Sequence, residues 1–272
     1  TRRFALELGV VGLLNVQYAI RDGHVYVLEV NPRASRTIPF VGKATGVPLA
    51  RLAARVMAGE KLADLEVPPE PQVPGVAVKE AVFPFNRFEV DTLLGPEMRS
   101  TGEVMGIDDS FGMAFAKAAK ASGNAVPLDG GSLVVSVNDG DKDTVTPIIR
   151  RFHDLGYEIL ATRGTHEYLT RLGIPSRRVF KVGEGRPNIV DGIVSGEVGL
   201  LINTPLGKKS QFDDYAMRRA AITHNVPYLT TMSAASAACD ALIALRSRTP
   251  KVQAIQDRIR DIQAGRPREE EA

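Results

Sequence analysis

The sequence predicts an α/β protein in which a mixed, partly antiparallel first segment precedes a doubly wound parallel sheet of five strands. Two observations carry the prediction. After Val126 five short apolar runs, SLVVSV, EILAT, RVFKV, VGLLIN and VPYLTT, alternate with helical stretches near 143–155, 165–172, 188–195, 212–224 and 232–245; strand–helix alternation at this spacing builds βαβ units and a parallel sheet. Earlier, LLNVQYAI and VYVLEV flank RDGH, an Asp-Gly hairpin signal.

The remaining elements follow in order. PLARLAARVMAG has helical spacing and stops at Gly59. PPEPQVP, Pro68 to Pro74, is stiff connecting chain. GVAVKEAVFPF is strand-like, and SFGMAFAKAAKASG reads as a helix capped by Ser110 and ended by Gly123. The charged tail GRPREEEA is expected to be disordered. The domain reading is 1–124, 125–264 and the tail 265–272.

Composition excludes several classes. A net charge of +2 is too small to argue for nucleic acid. No apolar run reaches the ~20 residues needed to span a membrane, and no signal peptide is expected. The single cysteine, Cys239, excludes an internal disulfide and suits a reducing cytoplasm; its small-residue helix suggests packing. The four histidines, His24, His153, His166 and His224, lack metal-ligand spacing. The chain opens on Thr1-Arg2-Arg3, not Met, which leads us to expect a fragment.

The first chemical constellation is VYVLEVNPRASR, residues 25–36. Side chains alternate along a strand, so Glu29 and Asn31 share a face and could present oxygens to a hard cation. Pro32 stops the ladder, and the guanidinium groups of Arg33 and Arg36 beside a metal suit phosphate. Gln17 could add a third oxygen if register allows: a two-residue Asp22-Gly23 turn sets it opposite Leu28, a three-residue loop opposite Glu29. Residue types alone fit an ordinary solvated strand end equally well.

The second constellation comes from the carboxyl ends of the five strands, where doubly wound sheets bind ligands. Those ends carry Ser136 and Lys142, then Thr162 and Thr165, then Lys181, then Asn203 and Thr204, then Thr230 and Thr231. Hydroxyls, an amide and lysines gathered on one edge suit a phosphate monoester, although each residue alone also reads as a turn, a cap or a solvated lysine.

EVNPRASRTIPFVGKATGVPLARLAARVMAG, VKEAVFPFNRF and LLGPEMRSTGEVMG resemble the carbamoyl-phosphate synthase large-subunit family, from about Leu13 to the last helix. The resemblance implies the C-terminal part of the second ATP-grasp domain followed by a methylglyoxal-synthase-like allosteric domain, in a cytoplasmic ligase serving arginine and pyrimidine biosynthesis. It implies that Gln17, Glu29 and Asn31 hold two Mg²⁺ or Mn²⁺ ions on ATP, Gln17 and Glu29 serving as ATP-site residues. Arg33 and Arg36 would face the phosphate-bearing intermediate as carbamate is phosphorylated to carbamoyl phosphate. It implies further that Ser136, Lys142, Thr162, Thr165, Lys181, Asn203 and Thr204 line a site for UMP or IMP. Glu80 and Thr230 would belong to an ornithine site whose other ligands lie upstream. Where the family commonly carries a third polar residue after Asn-Thr, this chain has Pro205. Implied partners are a glutaminase small subunit and an oligomer of heterodimers, with no nucleic acid or membrane. Two alternatives stand beside this reading. A methylglyoxal synthase lyase would need an Asp where NTPLGKKSQFDD has lysines. A non-catalytic nucleotide-binding module fits a chain lacking the lysine-bearing, glycine-rich ATP clamp, and would leave this fragment inactive alone.

Overall fold

The structure, a computed structural model, describes residues 1–67, 73, 75–82, 102–204 and 211–264. It falls into two compact units, 1–74 with 251–272, and 75–250. Most of residues 68–74, all of 265–272, Pro205 and residues 206–210 with their two lysines lie outside the described residues.

The first unit begins with α1 (Arg2–Glu7), β1 (Asn15–Arg21) and β2 (His24–Asn31). Asp22 and Gly23 both have positive φ, 52° and 75°, which two-residue turns of the primed type require. Arg21 pairs with His24, but the register shifts between Gln17 and Tyr18, and Gln17 ends opposite Glu29. The ladder skips Leu28, a β-bulge that re-aims every residue after it. Gln17 therefore reaches Glu29 across the short turn, by a bulge that turn-counting does not include. Two helices follow, α2 (Thr37–Thr45), with Arg36 as its N-cap and Gly46 closing it at φ 75°, and α3 (Leu49–Met57). α1 and α2 are not foreseen from the sequence.

In the second unit β3 (Val76–Val82) pairs antiparallel with β4 (Gly102–Asp108). β4 goes unread in the sequence because Gly102 and Gly106 break its strand pattern. α4 (Phe111–Ser122) starts as expected, with Ser110 accepting from the Met113 amide, and ends at Gly123. Gly106 is there for contact: a Cβ on it would sit 2.0 Å from the Ala114 carbonyl oxygen of α4. Asp108, 1% exposed, ties this corner together. It accepts from Lys117 at 2.7 Å, from Arg248, and from the Asp109 amide at 2.8 Å.

The five expected strands are β5 (Gly131–Ser136), β6 (Tyr157–Thr162), β7 (Arg177–Val179), β8 (Val198–Asn203) and β9 (Tyr228–Leu229). They form one parallel sheet in the order β7-β6-β5-β8-β9. The intervening helices are α5 (Lys142–Asp154), α6 (Arg163–Arg171), α7 (Ile189–Val194), α8 (Gln211–Thr223) and α9 (Met232–Ser247). Alternate strand residues feed two cores: Leu133, Val135 and Ile159 pack with Ile149, Phe152, Leu169 and Leu242, whereas Val134, Leu160 and Leu201 pack with Ile189, Ile193 and Met217. Helices on both faces make the sheet doubly wound, as predicted. The edge strands are shorter than their apolar runs; RVFKV keeps only its first residues in β7, and Thr231 leaves VPYLTT to cap α9. Cys239 is fully buried, and burial pushes its thiol up to about 12. The chain closes with α10 (Ile255–Gln263), unforeseen, whose Ile259 and Ile262 lie beside Gly46 in the first unit. Among the described residues no helix is long and apolar enough to cross a membrane.

Candidate functional site

The carboxyl edge of the parallel sheet concentrates buried polar groups. Ser136 ends β5, is fully buried, and its Oγ has no hydrogen-bond partner. Its carbonyl accepts from Asn203 Nδ2 at 3.3 Å and from the Thr204 amide at 3.2 Å, which holds the neighbouring end of β8 in place. Thr204 Oγ1 accepts from Asn138, from the backbone N at 3.1 Å and Nδ2 at 3.2 Å, so its own proton remains available to donate. Asn203 is more committed. Its Nδ2 also donates to Asp214 at 3.1 Å, and its Oδ1 accepts from Arg218 at 2.9 Å. Asp214 and Arg218 are themselves buried on α8.

Thr162 ends β6 and is the N-cap of α6, while Thr165 lies in the first turn of that helix; both are buried. Lys142 opens α5, and its Nζ is 2.6 Å from Asp139. The same ammonium lies 5.8 Å from the Tyr168 ring centre and beside Gly164, where a Cβ would be 3.4 Å away. Lys181, half-buried, follows β7; its amide donates to Glu184 at 3.2 Å. Two residues on, the Gly183 amide donates to Asp213 at 3.1 Å. Asp213 and Asp214 occupy the first turn of α8, as the sequence suggests. Asn138, Asp139 and Arg218 escape the sequence reading. Asn138-Asp139-Gly140-Asp141 carries a legible capping pattern, but nothing marks Arg218 as buried.

Glu80 and Thr230 lie in this unit. Burial pushes the Glu80 carboxyl above its ordinary range, against a bond from Ser122, and Glu80 Oε2 is buried without a partner. Thr230 directly follows β9, which the Asn124 side chain grips at both the Tyr228 carbonyl, 3.4 Å, and the Tyr228 amide, 3.2 Å.

In the first unit the β1–β2 register sets Gln17 opposite Glu29 and Asn15 opposite Asn31. Gln17 and Glu29 are exposed and Asn31 half-buried. Arg33 Nη2 donates to Asn31 Oδ1 at 3.4 Å, leaving that oxygen a second lone pair. Among the described residues no group of three or more His, Cys, Asp or Glu could hold a metal; the oxygen set on the hairpin relies on amides and one carboxylate, chemistry that suits Mg²⁺ sharing its shell with phosphate.

Residues 144–230 match the MGS-like domain, and residues 2–65 match the ATP binding domain of the carbamoyl-phosphate synthase L chain. The chain is thus an MGS-like domain joined to part of a carbamoyl-phosphate synthase ATP-binding domain. It is 56% identical over 258 residues to the carbamoyl phosphate synthase large chain of Gemmatimonas aurantiaca, covering 94% of this chain and 24% of the relative. The corresponding proteins of Archaeoglobus fulgidus and Rubrobacter xylanophilus are 52% and 53% identical, each with 94% of this chain and 24% of the relative covered. The chain belongs with the carbamoyl phosphate synthase large chains and spans about a quarter of their length.

Proposed function

We propose that this chain is part of a carbamoyl-phosphate synthase large chain, a ligase in arginine and pyrimidine biosynthesis, and that its parallel-sheet unit is the regulatory nucleotide site. The domains proposed are 1–124 for the ATP-grasp part and 125–264 for the regulatory part. Glutamine would be hydrolysed by a separate small subunit, and the complex would assemble further into an oligomer in the cytoplasm.

Ser136 carries the regulatory reading. A buried hydroxyl without a partner costs about 1–3 kcal/mol, and a phosphoryl oxygen at the β5 and β8 ends would accept from it and from Thr204. Lys142 and Lys181 supply positive charge, Thr162 and Thr165 hydroxyls, and Asn203 braces the strand ends. A nucleoside monophosphate such as UMP or IMP fits this donor set. Glu80, a carboxylate short of a countercharge, fits the amine of an ornithine-type activator, for which Thr230 would be a second contact.

In the first unit Gln17, Glu29 and Asn31 would hold Mg²⁺ or Mn²⁺, which neutralises charge on ATP during phosphoryl transfer to carbamate. Arg33 and Arg36 would orient the phosphate-bearing intermediate. Calorimetric titration of UMP and IMP into the full chain tests the regulatory site. Binding that weakens about ten- to a hundredfold in Lys181→Ala is the expected result, the loss of one charge-assisted contact. Equal affinity in both proteins would put the phosphate elsewhere.

A further inference from the structure

Lys142 is held in an unusual setting. Its side chain is 15% exposed, yet its counterion Asp139 is 94% exposed and reaches in from a 3-10 turn, Asp139–Asp141. The ammonium also lies near the Tyr168 ring and beside Gly164 in the first turn of α6. A helix N-terminus carries partial positive charge, so a cation there is electrostatically unfavourable until an anion joins it. In the chain alone Asp139 is that anion, and Lys142 holds its carboxyl below the ordinary range, so it is ionised at neutral pH. The turn that carries Asp139 is tied to the proposed phosphate position: Asn138 caps it by accepting from the Asp141 amide at 3.1 Å and donates to Thr204 Oγ1.

We propose that Asp139 is an internal competitor for the anion position at Lys142, and that it sets the site's preference for dianionic phosphate monoesters over monoanions. The proposal rests on the nucleotide reading given above. An incoming anion must take the ammonium from a carboxylate already seated there. A monoester brings two charges and gains the α6 N-terminus, the Ser136 hydroxyl and Lys142 together. A phosphodiester or a carboxylate brings one charge and gains little over the bond it breaks. Asp139 is almost fully exposed, so it can swing away without moving the core.

The test is calorimetric, on the full chain at pH 8, with UMP as the dianion and its 5′-methyl phosphodiester as the monoanion. Asp139→Asn removes the competitor and should bind UMP about three- to tenfold more tightly, the scale of one partly exposed charge pair with added repulsion. The diester should gain more than UMP, so that discrimination narrows. Asp139→Glu keeps the carboxylate and should behave as the wild type, which separates competition from a rearranged turn. Lys142→Met should lose UMP binding whatever stands at 139. If the wild type binds UMP and Asp139→Asn binds it equally or more weakly, the competitor role is overturned while the nucleotide site stands. If neither protein binds UMP, the nucleotide reading falls and this inference with it.

Discussion

The two units bury their apolar residues very differently. In the parallel-sheet unit both faces of β5, β6 and β8 are covered, and Leu133, Val134, Val135, Leu200, Leu201 and Ile202 are fully buried. In the first unit the hairpin leaves Ile20, Val25, Tyr26, Val27 and Leu28 exposed, with Leu6 and Leu8 likewise open. A two-stranded sheet is marginal on its own, and a row of exposed aliphatics marks a surface built to be covered. The contrast separates a unit whose sheet is covered on both faces from one whose hairpin leaves apolar side chains open. This agrees with a chain spanning about a quarter of its relatives' length.

The largest expected effect tests that contrast directly. Phe152 is fully buried and meets Tyr157 edge-on at 5.3 Å. Phe152→Ala should cost the second unit about 3–5 kcal/mol, read as a large drop in the denaturant midpoint. Ile20→Ala, at a side chain 74% exposed, should cost less than about 0.5 kcal/mol in this chain. A large loss from Ile20→Ala would break the comparison.

Next comes the corner at Asp108. Burial alone would push this carboxyl up, but bonds from Lys117, Arg248 and the Asp109 amide outweigh it and hold the group below its ordinary range. A folded value below the unfolded one stabilises the chain above the ordinary carboxylate range, and that contribution is lost as pH falls through the folded value. Asp108→Ala, which strands two cations, should cost about 3 kcal/mol at pH 7. Against the wild type, the difference should shrink as pH falls through the acid range. A difference that stays constant down to pH 2 would remove Asp108 as the titrating group.

A somewhat smaller loss is expected from Gly106→Ala. The new methyl would meet backbone of α4, at Ala114 and Ala118, which cannot give way as a flexible side chain would. About 2–3 kcal/mol is the scale of such overpacking, and an unchanged melting temperature would show that β4 and α4 slide apart freely.

Most of the second unit was legible because its signals are local and agree with one another. Five apolar runs, helical spacers and the cap at Ser110 each name their element independently. The polar ends of those strands followed from the fold class. What stayed hidden depends on the third dimension. The Leu28 bulge decides which face Glu29 occupies, yet no residue type announces it. Arg218 lies fully buried and donates to Asn203, in a helix where its residue type gives no sign of burial. Asp139 looks like a solvated loop acid until its distance to Lys142 is known.

The smallest expected effect on stability carries the largest consequence for chemistry. Glu29 is exposed, opposite Gln17, in the poorly covered hairpin. Glu29→Gln keeps size and strand character, so in this chain the denaturant midpoint should move by less than about 0.5 kcal/mol. In a full-length large chain carrying this hairpin, the same change removes the only carboxylate among the three proposed oxygen ligands, beside the cations that would hold ATP. There it should abolish carbamate phosphorylation while the protein stays folded, and added Mg²⁺ should recover little, because an amide oxygen is a weak substitute for a carboxylate on a hard cation. Assaying carbamoyl-phosphate formation from ATP and carbamate, with circular dichroism as the control on folding, separates the outcomes. Near-normal synthesis would sink the metal assignment for this strand. Lost synthesis with an unfolded protein would show that Glu29 holds the hairpin together, and that the first unit is less open than its exposed aliphatic row indicates.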